Sequence, residues 1–226
     1  MIEAFIEGLN RNRSIKTLYI GADLKCNNFQ KMGDFFKNNN NLRELSFRSI
    51  DNMGRVDSAH SIAHMLSQCT SLRKISFEDS EASDIVLTEI TTAISSHPQL
   101  EELDLGGNNL GREGCAALGN ALKVCRNPQL QNLYLCNNFI GDSGLASLVT
   151  GLRNCCNLTR LALNGNELIT VDGYRSLSTL FQSERCCLEC LTLETMNMGD
   201  DGLSVLAPAI ASLQLLKYLH LSQNSI

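Results

Sequence analysis

The chain has 226 residues, 43% hydrophobic and 19% charged, with 3 Pro, 16 Gly and a net charge of −5, which argues against a disordered or collagenous chain and against a nucleic-acid-binding surface. No apolar run approaches the ~20 residues of a membrane span. The opening MIEAFIEGLN carries two acids where a secretory signal would carry basic residues, so a cytoplasmic protein is expected, with its ten cysteines as reduced thiols.

In chain order, Ile2, Phe5 and Leu9 recur at helical spacing and are followed by Ile15, Leu18 and Ile20 at strand spacing. The same succession then returns. Leu42-Leu45-Phe47 and Leu72-Ile75-Phe77 are two loose copies, the second followed by Ile90 and Ile94 at helical spacing. Leu100-Leu103-Leu105-Asn108 is the first full L-x-x-L-x-L-x-x-N, followed by Gly111, Gly114, Leu118 and Leu122. Leu130-Leu133-Leu135-Asn138 precedes Leu145, Leu148 and Leu152, and Leu158-Leu161-Leu163-Asn166 comes next. Leu188-Leu191-Leu193 has Met196 in place of the Asn, and Leu216-Leu219-Leu221-Asn224 completes the series. The starts at 15, 42, 72, 100, 130, 158, 188 and 216 are 27 to 30 residues apart. A repeat of that length, half strand and half helix, defines the fold.

These motifs resemble the leucine-rich repeats of the ribonuclease-inhibitor type, and the resemblance covers essentially the whole chain. It implies an α/β solenoid of about eight repeats, a horseshoe arc with a parallel sheet on the concave face and helices on the convex face. Strands ~4.8 Å apart against helices ~8–10 Å apart bend the stack by about 20–30° per repeat. The whole chain, 1–226, reads as one such domain. It opens within a repeat's helix and closes just after a strand, as part of a longer array would.

Four asparagines, Asn108, Asn138, Asn166 and Asn224, are expected to form a buried ladder bonding backbone groups of adjacent turns. Asp23, Ile50, Ser80 and Met196 replace them in the other repeats, so the first three repeats should be less regular. Asp142 and Asp200 stand where helix N-caps would, and Pro208 inside the seventh helical pattern predicts either a kink or a late start.

Catalytic and metal-binding patterns are weak. Cys186-Cys187-Leu-Glu-Cys190 contains one C-x-x-C, but a structural zinc site needs four ligands. Cys69, Cys155, Cys156, Cys186 and Cys187 all lie one to three residues before a strand's first leucine, with Cys125 at five; buried thiols at the helix-to-strand corner are expected. His60 and His64 sit one helical turn apart, but Ser61 stands where a zinc protease needs Glu, so they read as a solvent face. Gly106-Gly-Asn-Asn-Leu-Gly111-Arg112 lacks the Lys-Ser/Thr of a phosphate loop. The chain is therefore expected to be no enzyme and to use no small-molecule cofactor.

The outward strand positions carry the candidate site. The third column contains Glu44, Lys74, Glu102, Asn132, Arg160 and Tyr218; the fifth Tyr19, Asp104, Tyr134, Thr192 and His220; the seventh Arg48, Glu78, Asn164 and Glu194. These columns vary from repeat to repeat, as a surface shaped to a partner does. Another protein is the expected partner, held on the concave face, with Tyr134 and Tyr218 as anchors. The resemblance also admits a GTPase-activating regulator of the Ran type, or the ligand-sensing repeats of an immune-type receptor.

Overall fold

The computed structural model describes residues 2–21, 28–49, 56–95, 97–124 and 129–226. In chain order these form α1 (Ile2–Arg11), β1 (Thr17–Ile20), α2 (Asn28–Lys31), α3 (Gly33–Asn38), β2 (Glu44–Arg48), α4 (Val56–Gln68), β3 (Lys74–Glu78), α5 (Asp84–Ile94) and β4 (Glu102–Asp104). They continue with α6 (Arg112–Val124), β5 (Asn132–Tyr134), α7 (Asp142–Leu152), β6 (Arg160–Ala162), α8 (Val171–Phe181), β7 (Cys190–Thr192), α9 (Gly199–Ile210) and β8 (Tyr218–His220). The eight strands form one parallel sheet in sequence order. Each strand pairs in the register of the repeat, so that Leu45, Ile75, Leu103, Leu133, Leu161, Leu191 and Leu219 align in a single row. This is an α/β repeat solenoid.

The leucines of the motif and the inner helix faces build one continuous core. Leu103, Leu133, Leu161 and Leu191 are fully buried between sheet and helices. In the loose early repeats Phe47 and Phe77 take the place of the third leucine, and their rings stack at 4.8 Å between centroids. The first repeat breaks its helical half into α2 and α3, whereas α6 to α9 are single helices.

The asparagines tie the turns together. Asn138 Nδ2 donates to the carbonyls of Leu105, Leu135 and Cys136, and its Oδ1 accepts from Leu110 N–H at 2.8 Å. Asn108 makes the corresponding bonds to Phe77, Leu105 and Gly106 and accepts from Ala82. Asn166 and Asn224 continue the column by donating to Leu135 and Leu193 of the preceding repeat. A strand-to-helix turn buried against its neighbour has backbone groups that neither sheet nor helix satisfies, and a side-chain amide supplies both donor and acceptor. Met196 is fully buried at the seventh-repeat position, where its own N–H donates to Asn224 Oδ1. Ser80 is buried at the third; Asp23 and Ile50 lie outside the described residues.

Two local expectations are corrected, and the alternatives for Pro208 are reduced to one. Asp142 does not cap its own helix, whose N-cap is Gly141. Its carboxylate accepts instead from Thr170 N–H, Thr170 Oγ1 and Gly173 N–H, and so caps α8 of the following repeat. Asp84 does the same for α6 through Gly111, Glu113 and Gly114. Neighbouring helix starts lie close enough that a carboxylate in one helix's first turn reaches the unpaired N–H groups of the next. Asp200 also lies within its helix rather than before it, because α9 begins at Gly199 with Met198 as N-cap. Pro208 stands inside α9, which runs past it to Ile210, so the helix does not start late.

Candidate functional site

The sheet face opposite the helices is the concave side, and the register fixes what it presents. Glu44, Lys74, Glu102, Asn132, Arg160, Cys190 and Tyr218 align across successive strands, as do Tyr19, Ser46, Ser76, Asp104, Tyr134, Ala162, Thr192 and His220. Arg48 and Glu78 pair one row further on. Asn164 and Glu194 occupy that same row, joined by Asn164 Nδ2 donating to Glu194 Oε2 at 3.3 Å and Glu194 N–H donating to Asn164 Oδ1 at 2.9 Å.

Much of the charge on this face is matched by its neighbours. Arg48 lies 3.8 Å from Glu78 and 3.5 Å from Asp79, and Lys74 lies 3.9 Å from Glu102. Asn132 Nδ2 donates to Glu102 Oε2 at 3.0 Å, and Thr17 Oγ1 donates to Glu44 at 3.4 Å. Such exposed pairs contribute little stability individually, ~0–1 kcal/mol. They do order the side chains, and they leave a smaller set without a cross-strand ionic partner.

Asp104 belongs to that set. Its Oδ1 accepts from Gly106 N–H at 2.9 Å. Burial pushes its carboxyl pKa up, the Gly106 bond opposes this, and the nearby Glu78, Glu102 and Asp79 carboxylates raise it further. Tyr134, its direct cross-strand neighbour, is half-buried; burial raises the phenol pKa, with Glu102 and Asp104 adding to the shift and Arg160 opposing it. The Tyr134 hydroxyl and the Arg160 guanidinium make no hydrogen bond or ion pair among the described residues. An aromatic ring, a half-buried carboxylate and an exposed guanidinium thus share the middle of the face.

Two outward positions differ from expectation. Ala162 and Cys190 are each only 4% exposed, although both point to the concave side. Both are small residues flanked along their rows by longer ones, Tyr134 and Thr192 beside Ala162 and Arg160 and Tyr218 beside Cys190. Thr192, the cross-strand neighbour of Ala162, has its Oγ1 buried and without a hydrogen-bond partner among the described residues. Tyr19 at 73% and Tyr218 at 58% exposure stand at the two ends of the sheet, and His220 is exposed beside Tyr218.

The cysteines divide. Cys69, Cys115, Cys155 and Cys190 are buried, and burial pushes the Cys69 and Cys115 thiols up to about 12. Cys156 is exposed and Cys186 and Cys187 are half-buried, contrary to the expectation of burial for all of them. The reason is local: in the turn of residues 155–158 Cys155 and Leu158 face the core, and the two residues between them face water. Cys125 lies outside the described residues. His60 and His64 are exposed on α4, while His97 is buried at a helix-to-strand corner. No three His, Cys, Asp or Glu side chains converge on a metal position among the described residues. No helix among them is long and apolar enough to cross a membrane.

Comparison with known proteins agrees with this architecture. A family model described as leucine-rich repeat matches residues 96–119 and 154–178. An internalin C2 from Listeria monocytogenes superposes with a TM-score of 0.57 at 18% identity, covering 97% of this chain and 84% of the other. The tropomodulin C-terminal domain of Caenorhabditis elegans gives 0.53 at 14% identity, covering 68% of this chain and 92% of the other. No curated protein matches the chain in sequence. The fold is that of a leucine-rich-repeat solenoid.

Proposed function

We propose that this chain is a non-enzymatic interaction module of the cytoplasm that holds a partner protein on the concave face of its sheet. The observation that carries the reading is the Asp104–Tyr134 pair. Asp104 is a half-buried carboxylate already crowded by three others, and it adjoins an aromatic ring with an unengaged hydroxyl. A basic side chain of a partner, laid on Tyr134 and bonded to Asp104, would relieve that crowding and bury the ring. Repeat lengths of 27 to 30 residues, with a helix in each unit, support the ribonuclease-inhibitor-like subclass. Reduced cysteines throughout the described residues suit the cytoplasm.

The test is affinity capture from cell extract with three baits of equal circular dichroism: wild type, Tyr134→Ala/Asp104→Arg, and Arg175→Glu on the convex helix α8. A protein held by wild type and by the convex variant, but lost from the double variant, and rebinding directly when purified, supports the reading. Equal capture by all three baits refutes binding at this part of the concave face.

A further inference from the structure

The corner between each helix and the next strand carries a second column of side chains. Cys69, His97, Cys155 and Cys186 occupy it in the same local turn, each N–H donating to the carbonyl three residues earlier at 2.9 Å. Side chains in this column lean on the preceding repeat. Asn39 Nδ2 donates to Ile15 O, and Cys69 Sγ lies 3.4 Å from Phe36 O. Successive members of the column are therefore within side-chain reach of one another.

Cys155 and Cys186 are successive members, 31 positions apart in sequence and one repeat apart in space. Both line a single small crevice, together with Leu152, Leu158, Leu180 and Leu188. Cys155 is buried on its inner wall, with Sγ 3.9 Å from Gly151 O, and Cys186 is half-open to solvent. Arg153, Arg185 and Cys187 line the same crevice. The register that pairs Arg160 with Cys190 sets the segments leading into β6 and β7 side by side.

We propose that Cys155 and Cys186 are a covalent modification site, forming a reversible disulfide that staples the fifth repeat to the sixth when the thiol pool is oxidised. Glutathione disulfide is the oxidant. The Cys186 thiolate attacks one of its sulfurs, the S–S bond breaks, and one glutathione leaves as thiolate and takes up the proton that Cys186 lost. The Cys155 thiolate then attacks the Cys186 sulfur and expels the second glutathione. Two protein thiols and one glutathione disulfide become one protein disulfide and two glutathione thiols, and excess glutathione reverses the exchange. Burial raises the Cys186 pKa, so the first step accelerates as pH rises. Cys187 and Cys156 are the neighbours that the column leaves out.

The full chain is equilibrated in native buffer with glutathione and glutathione disulfide at graded ratios, alkylated, digested and mapped by mass spectrometry. The expected product is a Cys155–Cys186 cross-linked peptide, with two fewer alkylated thiols and an upward shift of the melting temperature, all reversed by dithiothreitol. Cys187→Ser retains the cross-link, and Cys186→Ser abolishes both the cross-link and the shift. The wild-type peptide map needs no variant to fold. Cross-links at Cys187 or Cys156 instead, a glutathione adduct that persists on Cys186, or a disulfide that forms only in urea would overturn the proposal.

Discussion

Gly119 of α6 and Gly151 of α7 meet backbone to backbone: a Cβ built at Gly151 would lie 2.8 Å from the Cα of Gly119, and one built at Gly119 would lie 3.0 Å from the carbonyl carbon of Ser147. Two glycines in adjacent repeats let these helices approach more closely than any side chain allows. Gly151→Ala is expected to destabilise the protein by about 1–3 kcal/mol, because the added methyl meets main chain rather than a movable side chain. Urea denaturation measures this, and a midpoint unchanged from wild type would show that the helices separate at no cost.

Asn138 holds three carbonyls and one N–H of two consecutive turns. Asn138→Ala leaves those groups buried without partners, and the expected loss is roughly 2–4 kcal/mol. Hydrogen exchange should locate the damage at the Leu110 amide, which donates to the Asn138 carbonyl oxygen. Loss of overall stability with Leu110 still protected would mean that water replaces the side chain.

Asp142→Ala removes the carboxylate that caps the helix of the next repeat. A cost of about 1 kcal/mol is expected, in the range of other N-cap losses. The Thr170 and Gly173 amides should exchange faster, while the first turn of α7, which contains Asp142 itself, should not. Faster exchange confined to α7 would contradict capping between repeats.

His97 links stability to pH. Burial lowers its pKa from the ordinary 6.5, against several backbone carbonyl bonds that raise it. Below pH 6.5 the unfolded chain therefore binds a proton that the folded chain refuses. The His97 contribution is fully present above 6.5 and is lost as pH falls toward the lower folded value. Urea midpoints should drop between about pH 7.5 and about pH 5.5. His97→Gln should flatten part of that slope. Identical slopes for wild type and His97→Gln would remove this residue from the acid response.

The repeat was legible because its physics is local. Alternation at Leu100-Leu103-Leu105 and helical spacing at Leu118 and Leu122 mark strand and helix without knowledge of any neighbour, and a regular period of Leu and Asn can bury its apolar face only by stacking. Fold class, the row of core leucines, the asparagines of the turns and the outward columns follow from that one-dimensional pattern. Only tertiary structure decided which neighbour each outward or corner side chain meets. Asp142 serves a helix 28 residues on, Ala162 and Cys190 are buried on a face where alternation points outward, and Cys156 is exposed although Cys155 beside it is not. Gly119 and Gly151 read as ordinary helix residues until two helices are brought together. Each of these depends on contacts about one repeat away, where side-chain size in the adjoining unit, rather than local periodicity, sets burial and bonding.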